Sequence, residues 1–136
     1  MKQLDFIEAF LQAKVKGRVF VTLDAKYGDY FPEYREYFGR PLRLLRSMYG
    51  MTISGKLFAD DLTDWLVNVA GFKQSQCQGS IYYKVLETGE RIVVLSYVDD
   101  CVYYHTSEDL GRWFVEALGK RYNVNFLGHA HWLMSI

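Results

Sequence analysis

A chain of 136 residues is long enough to form one domain with its own hydrophobic core. Half of its residues are hydrophobic and 17% are aromatic, a composition that excludes an intrinsically disordered polymer. The 16 Lys and Arg balance the 16 Asp and Glu, and this zero net charge argues mildly against a self-sufficient nucleic-acid-binding protein, because such proteins are generally basic.

The first third of the chain predicts two strands and a long loop. Residues 2–6 predict a short strand, and residues 7–11 predict a helical turn or two. Residues 18–23 are rich in β-formers and predict a second strand. From residue 24 to residue 40, aromatic residues crowd together with glycine and proline without a regular period. This segment predicts a long loop, and long loops in compact domains are often functional.

The middle of the chain predicts a helix and a hairpin. Apolar residues recur at helical spacing from Thr52 to about Ala70, and Gly71 stands where a helix commonly ends. Residues 81–86 and 91–97 then predict two strands joined by a short turn that contains Gly89.

The last third predicts strand, helix and strand. Residues 101–104 predict a strand, and Thr106 or Ser107 predicts the start of a helix with acidic residues in its first turn and basic residues in its last. Residues 122–126 predict the closing strand. The order of the elements predicts an α+β domain with an antiparallel sheet and helices packed on one face.

Cys77 and Cys101 are isolated in the sequence and have no metal-ligand spacing, so a reducing compartment is expected. No apolar run approaches the length of a membrane span. Asp5 and Glu8 interrupt the first apolar stretch, which a signal-peptide core would not tolerate. We therefore expect an intracellular protein with no membrane partner.

Two adjacent carboxylates, Asp99 and Asp100, interrupt an otherwise largely apolar stretch between residues 92 and 104. A two-residue turn between paired strands explains their position, although such turns favour Asn-Gly or Asp-Gly because both central residues need positive φ. Adjacent like charges repel, and Mg²⁺ is the natural ion to offset them. A solvated acidic turn is an equally open alternative for this pair. We interpret another adjacent pair, Asp60-Asp61 on the polar face of the long helix, as solvated surface.

A third carboxylate, Asp5, ends the first predicted strand. A two-metal site for phosphoryl transfer draws carboxylates from more than one element, because two cations about 4 Å apart share bridging oxygens. Adjacent strand ends in one sheet can bring Asp5 beside Asp99. The amides that follow Asp5 can also hold a phosphate. Taken alone Asp5 is a weak candidate, because aspartates at strand ends often cap helices.

Six short motifs, which occur in the order found in one known protein family, are spread over essentially the whole chain. They are QLDFIEAFL at residues 3–11, LLRSMYG at 44–50, GFKQS at 71–75, SIYY at 80–83, YVDD at 97–100, and LG at 127–128 with HWLMSI at 131–136. Residues 97–100 resemble the central catalytic motif of reverse transcriptases, and residues 3–11 resemble their first aspartate motif in its copia-type form. The other segments resemble, in order, the approach to the nucleotide-binding helix, two further motifs and the primer-holding hairpin of copia-type retrotransposons.

The resemblance implies that residues 1–136 are part of a polymerase palm, with the fingers, thumb, connection and ribonuclease H regions outside the chain. It implies an RNA-directed DNA polymerase whose two Mg²⁺ ions are held by Asp5, Asp99 and Asp100. Its partners would be an RNA or DNA template with primer, deoxynucleoside triphosphates and the rest of a retrotransposon polyprotein. Its location would be a cytoplasmic particle or the nucleus.

The resemblance also assigns roles to seven further residues. The nucleotide would contact Phe6, Ile7, Phe10, Tyr49 and Gly50, and the primer–template would contact Tyr97 and Lys56. Phe10 stands where the family places a gate against the sugar 2′-hydroxyl, and a buried aromatic residue is an equally open alternative. Hydrophobic burial is the corresponding alternative for Tyr49 and Tyr97.

Two other functions remain open at this point. The first is a noncatalytic remnant that keeps the α+β fold and binds nucleic acid or protein. The second is a generic metal-dependent nuclease, which explains the carboxylates but none of the collinear motifs.

Overall fold

A computed structural model describes residues 1–130 of the chain. It contains eight strands: β1 (Lys2–Phe6), β2 (Phe20–Thr22), β3 (Pro41–Arg43), β4 (Lys73–Gln74), β5 (Ile81–Val85), β6 (Arg91–Tyr97), β7 (Asp100–His105) and β8 (Val124–His129). Six of them form one sheet in the order β4-β5-β6-β7-β1-β8, and β2 pairs with β3 in a separate ribbon. All of these strand pairs are antiparallel.

Three α-helices accompany the sheet: α1 (Ala9–Gln12), α2 (Ser54–Asp64) and α3 (Glu108–Arg121). A π-helical turn over Trp65–Val69 extends α2, and two 3₁₀ helices, Ala25–Asp29 and Pro32–Tyr37, lie in the long loop. The hydroxyl of Ser107 caps α3 by accepting a hydrogen bond from the Leu110 N–H at 3.5 Å.

Alternate residues of the central strands form one side of the core. On β6 these are Ile92 and Val94, and on β7 they are Cys101 and Tyr103, all at most 4% exposed. The helices contribute the apolar side chains of Phe58, Leu62, Leu66, Leu110, Phe114 and Leu118 to the same cluster. The helices therefore pack on one face of an antiparallel sheet, which confirms the predicted α+β class.

An aromatic cluster joins β1 to α2 and to the end of α3. The Phe6 and Phe58 rings meet edge to face with centroids 5.0 Å apart, and Tyr122 lies 5.5 Å from Phe6 in the same arrangement. The Tyr122 hydroxyl donates to the Asp61 carboxylate at 2.8 Å. Because Phe6 directly follows Asp5, this cluster fixes the end of β1 that carries the first candidate carboxylate.

Most predicted elements are confirmed, and the differences have local causes. The strands β3 and β4 were not predicted, because two or three residues cannot display an alternating pattern. The long loop contains the two 3₁₀ helices instead of being structureless. The last strand begins at Val124 and extends to His129, further than predicted.

The predicted primer-holding hairpin is only partly covered by the described residues. Leu127 and Gly128 lie within β8, which pairs with β1 at the edge of the sheet. Residues 131–136 lie outside the described part of the chain.

Candidate active site

The turn between β6 and β7 is formed by Val98 and Asp99, because Tyr97 pairs with Asp100. The sequence prediction of an Asp99-Asp100 turn is therefore wrong by one residue: Asp100 is the first residue of β7. Val98 has a φ of 55°, which a β-branched residue rarely adopts. Such a conformation costs on the order of 1–3 kcal/mol and occurs preferentially at functional sites.

Strand pairing brings Asp5 next to the acidic turn. Asp5 and Asp100 are direct partners in the β1–β7 register, and the Phe6 N–H donates to the Asp99 carbonyl oxygen at 2.9 Å. Directly opposite residues on antiparallel strands have Cβ atoms about 4.5–5.5 Å apart and share a face of the sheet. The carboxylates of two separate chain segments therefore meet at one end of β1 and β7.

Alternation along β1 determines which face carries the carboxylates. Leu4 and Phe6 are 0% and 2% exposed in the core, so Asp5 between them points to the opposite face. Asp100 is likewise followed by Cys101, which is 1% exposed. Both carboxylates therefore lie on the sheet face that the helices leave open.

Electrostatic repulsion acts between these carboxylates. The pKa of Asp5 is raised above its usual value, first by partial burial and then by the negative charges of Asp99 and Asp100. Within residues 1–130 no three His, Cys, Asp or Glu side chains are arranged so that they could hold a metal ion together. The three negative charges repel one another, whereas a divalent cation would attract all of them. Oxygen donors of this kind are the ligands that Mg²⁺ prefers, so the chemistry of the three residues fits that ion.

Replacing Asp5 by Asn should stabilise the metal-free protein at neutral pH. Because the folded-state pKa of Asp5 is raised, the protonated form favours folding, and this contribution is lost as the pH rises through the folded-state pKa. In EDTA at pH 7 we expect Asp5→Asn to raise Tm by roughly 1–3 °C, with little change at pH 3. Thermal melts followed by circular dichroism measure both values. An equal gain at both pH values, or the same gain in the exposed control Asp109→Asn, would contradict this explanation.

Two of the predicted nucleotide-binding side chains are in contact. The Phe10 and Tyr49 ring centroids are 5.1 Å apart, with Phe10 half-buried on α1 and Tyr49 58% exposed. Gly50 follows with a φ of 89°, a conformation that suits glycine. Ile7 is 40% exposed, and its N–H donates to the Asn123 carbonyl oxygen at 3.0 Å.

The other predicted contact residues are more widely separated. The Phe6 side chain is 2% exposed in the core, so it points away from the face that carries Asp5. The Lys56 ammonium group lies 3.1 Å from the Asp60 carboxylate on the exposed side of α2. Tyr97 is 56% exposed and adjoins the turn, where it lines a cavity of about 370 Å³ between β6 and α2.

Gln12 is a positioning residue that no sequence motif indicates. The Gln12 side-chain amide donates to the carbonyl oxygens of Ile7 and Asn123 at 2.6 and 2.9 Å, and its oxygen accepts from the Asn123 N–H at 2.7 Å. Gln12 thereby fixes the segment after Asp5 against the start of β8. No sequence signal distinguishes it from a surface glutamine, because two of its three hydrogen bonds are made with Asn123, 111 residues away.

The cysteine next to the acidic turn is chemically inert. Burial of Cys101, and secondarily the charge of Asp100, raises the pKa of its thiol to about 12. The thiol therefore stays protonated at neutral pH, which disfavours it as a nucleophile.

A protein-family model described as "Reverse transcriptase (RNA-dependent DNA polymerase)" matches residues 1–136. The chain belongs to the reverse transcriptase family. Among curated proteins, this reverse transcriptase chain is similar to the Retrovirus-related Pol polyprotein from transposon RE2 of Arabidopsis thaliana, with 28% identity over 138 residues. That alignment covers 100% of the chain but 9% of the polyprotein. No solved structure gives a significant match.

These comparisons confirm the resemblance to copia-type reverse transcriptases that the sequence motifs indicated.

Among residues 1–130 of the reverse transcriptase chain, no helix is long and apolar enough to cross a membrane.

Proposed function

We propose that this chain is the palm of an RNA-directed DNA polymerase of a copia-type retrotransposon, which adds deoxynucleotides to a primer 3′-hydroxyl. The observation that carries the proposal is the in-register pairing of Asp5 with Asp100 beside the Asp99 turn. Carboxylates from two elements at one strand end are the arrangement that two-metal phosphoryl transfer requires.

In this proposal Asp5, Asp99 and Asp100 hold two Mg²⁺ ions. When bound, the ions would supply activation of the primer hydroxyl and neutralisation of charge on the incoming triphosphate. The protein would contribute position: backbone pairing fixes Asp5 opposite Asp100, and the Phe6 N–H fixes the Asp99 backbone. Preorganised charges of this kind act mainly by electrostatic stabilisation, with little covalent work for the protein.

The nucleotide would be bound next to α1. Phe10 and Tyr49 form a contacting aromatic pair there, and we assign Phe10 the role of gate against the sugar 2′-hydroxyl. Ile7 and Gly50 would complete the pocket. The role proposed for Phe6 is limited to its backbone, because its side chain lies in the core.

The primer–template would lie beside the turn between β6 and β7. Tyr97, which is exposed beside the turn, would adjoin the primer terminus, and Lys56 would contact the nucleic acid. The chain spans 9% of the length of the curated relative that it matches, so we propose the rest of a Pol polyprotein as its physical partner. A cytoplasmic particle or the nucleus would then be its location.

Primer extension on a primed RNA template with Mg²⁺ tests this function. We expect slow, template-directed incorporation by the wild-type chain, and a loss of at least about 100-fold in Asp99→Asn and in Asp100→Asn, because each carboxylate stabilises transition-state charge. Asp109→Asn, which removes an exposed carboxylate from α3, is the matched control and should keep the wild-type rate.

Two results would count against the proposal. Extension at the wild-type rate in both variants would exclude Asp99 and Asp100 from the mechanism. Binding of primer–template without any incorporation would favour the noncatalytic remnant.

A further inference from the structure

A strongly basic surface lies next to the candidate active site. Six of the 16 Lys and Arg fall in residues 14–22 and 40–46, which contain no Asp or Glu and are here named the basic ribbon. These residues are Lys14, Lys16, Arg18, Arg40, Arg43 and Arg46, and all six are exposed. Among residues 1–130, none of the six has a carboxylate oxygen within 4.0 Å. In a chain of zero net charge, positive charge is therefore concentrated locally.

The two halves of the basic ribbon are paired with each other. Lys14 and Arg46 form an isolated antiparallel bridge, and β2 pairs with β3 further along. Phe20 is the direct partner of Arg43, so both side chains lie on one face of the ribbon. Phe20 is 56% exposed there, whereas Val21 and Leu42 on the opposite face are half-buried. The ribbon thus presents an aromatic ring among cations that have no ion-pair partner within residues 1–130.

The basic ribbon is continuous with the segment that follows Asp5. The Arg46 guanidinium donates to the Gln12 carbonyl oxygen, and the Ser47 N–H donates to the Ala13 carbonyl oxygen at 3.0 Å. The neighbouring Tyr49 ring contacts Phe10 on α1. The Arg46 end of the ribbon is therefore bonded to the α1 segment that carries part of the proposed nucleotide pocket.

We propose that the basic ribbon binds a single-stranded nucleic-acid segment, with Arg18 and Arg43 at phosphates and Phe20 stacked on a base. Exposed cations supply the phosphate attraction, and an exposed aromatic ring stacks on any base without regard to sequence. An anionic membrane would also attract the cations, but the continuity of the ribbon with the nucleotide pocket favours nucleic acid. The identification of the strand as template rests on the proposed function.

Fluorescence anisotropy of the 136-residue chain with a labelled 12-nucleotide RNA strand tests the ribbon. EDTA is present throughout, so that metal binding at Asp5, Asp99 and Asp100 plays no part. Arg18→Gln combined with Arg43→Gln should raise Kd at least about tenfold and lower the salt slope by about 1.4, since each lost phosphate contact removes about 0.7. Phe20→Ala should raise Kd by about fivefold or more through lost stacking.

The matched control combines Lys73→Gln with Lys120→Gln, two exposed lysines outside the ribbon that form no ion pair within residues 1–130. Its Kd should stay within about twofold of wild type. Circular dichroism verifies that each variant is folded.

Three results would overturn the ribbon proposal: no RNA binding by the wild-type chain at low salt, an equal loss in the lysine control, or ribbon-dependent binding to anionic phospholipid vesicles with none to RNA. Ribbon-dependent RNA binding in a chain that never extends a primer would refute the proposed function alone. Extension that is indifferent to the ribbon variants, together with unchanged RNA affinity, would refute the ribbon proposal alone.

Discussion

Replacing Asp99 and Asp100 together by Asn should raise the Kd for Mn²⁺, a spectroscopically useful substitute for Mg²⁺, by at least about 100-fold. The substitution removes two of the three negative charges at the β1–β7 strand end and leaves Asp5 alone. Changes to residues that merely orient metal ligands already cost about 10–100-fold in affinity, so loss of the ligands themselves should exceed that range. Isothermal titration calorimetry measures the Mn²⁺ Kd of the wild-type chain and of the double variant.

The chain contains its own control for this substitution. Asp60 and Asp61 are also adjacent aspartates, but they lie on α2 and form ion pairs with Lys56 and Arg121. Asp60→Asn combined with Asp61→Asn removes the same charge and should leave the Mn²⁺ affinity within about threefold, since those charges lie outside the proposed site. An equal loss of Mn²⁺ affinity in the two double variants would indicate that Asp99 and Asp100 form a solvated acidic turn and not a metal site.

Phe58→Ala should lower the free energy of unfolding by about 3–5 kcal/mol, the range for deleting a fully buried phenylalanine ring. Phe58 is 1% exposed and packs edge to face against Phe6 and Tyr122. Removal of the ring leaves a cavity between α2 and β1 that close-packed neighbours cannot fill. Urea unfolding followed by circular dichroism gives the value.

Phe31→Ala is the matched control for the Phe58 substitution. Phe31 lies in the long loop and is 51% exposed, so its removal should change stability by at most about 0.5 kcal/mol. A loss below about 1 kcal/mol for Phe58→Ala would contradict a close-packed aromatic cluster beneath β1.

The elements that carry periodic patterns were predictable from the sequence. The alternating β1 and β6–β7 segments and the amphipathic α2 and α3 helices all display their buried faces directly in the chain. The same alternation, combined with the collinear motifs, led to Asp5, Asp99 and Asp100 as one group. Their strand-end pairing follows once β1 adjoins β7.

The position of the acidic turn was not predictable from the sequence. The apolar residues on either side of Asp99-Asp100 do not determine which two residues form the turn and which pair in the sheet. A turn at Val98-Asp99 requires positive φ at a valine, which local preference disfavours, so tertiary pairing of Tyr97 with Asp100 overrides it. The role of Gln12 was not predictable for a related reason. Two of its hydrogen bonds are made with Asn123, which is distant in the sequence, and the third depends on the turn after Ile7.

The basic ribbon was hidden by composition. Whole-chain charge is zero, and the cations of the ribbon lie in two separate sequence segments, residues 14–22 and 40–46, that strand pairing brings together. The neutral total argues mildly against a self-sufficient nucleic-acid-binding protein, but a sum over the chain does not show where the charges lie.

A Mn²⁺ titration of the ¹⁵N-labelled chain, followed by amide NMR signals, tests the carboxylate site most directly. Mn²⁺ is paramagnetic and broadens the signals of nearby amides, so the order of loss locates the ion. We expect amides at the end of β1 and at the β6–β7 turn, around Asp5, Asp99 and Asp100, to broaden first and at the lowest Mn²⁺ concentration. Broadening that begins on α2 near Asp60 and Asp61, or equally at all acidic surfaces, would contradict it.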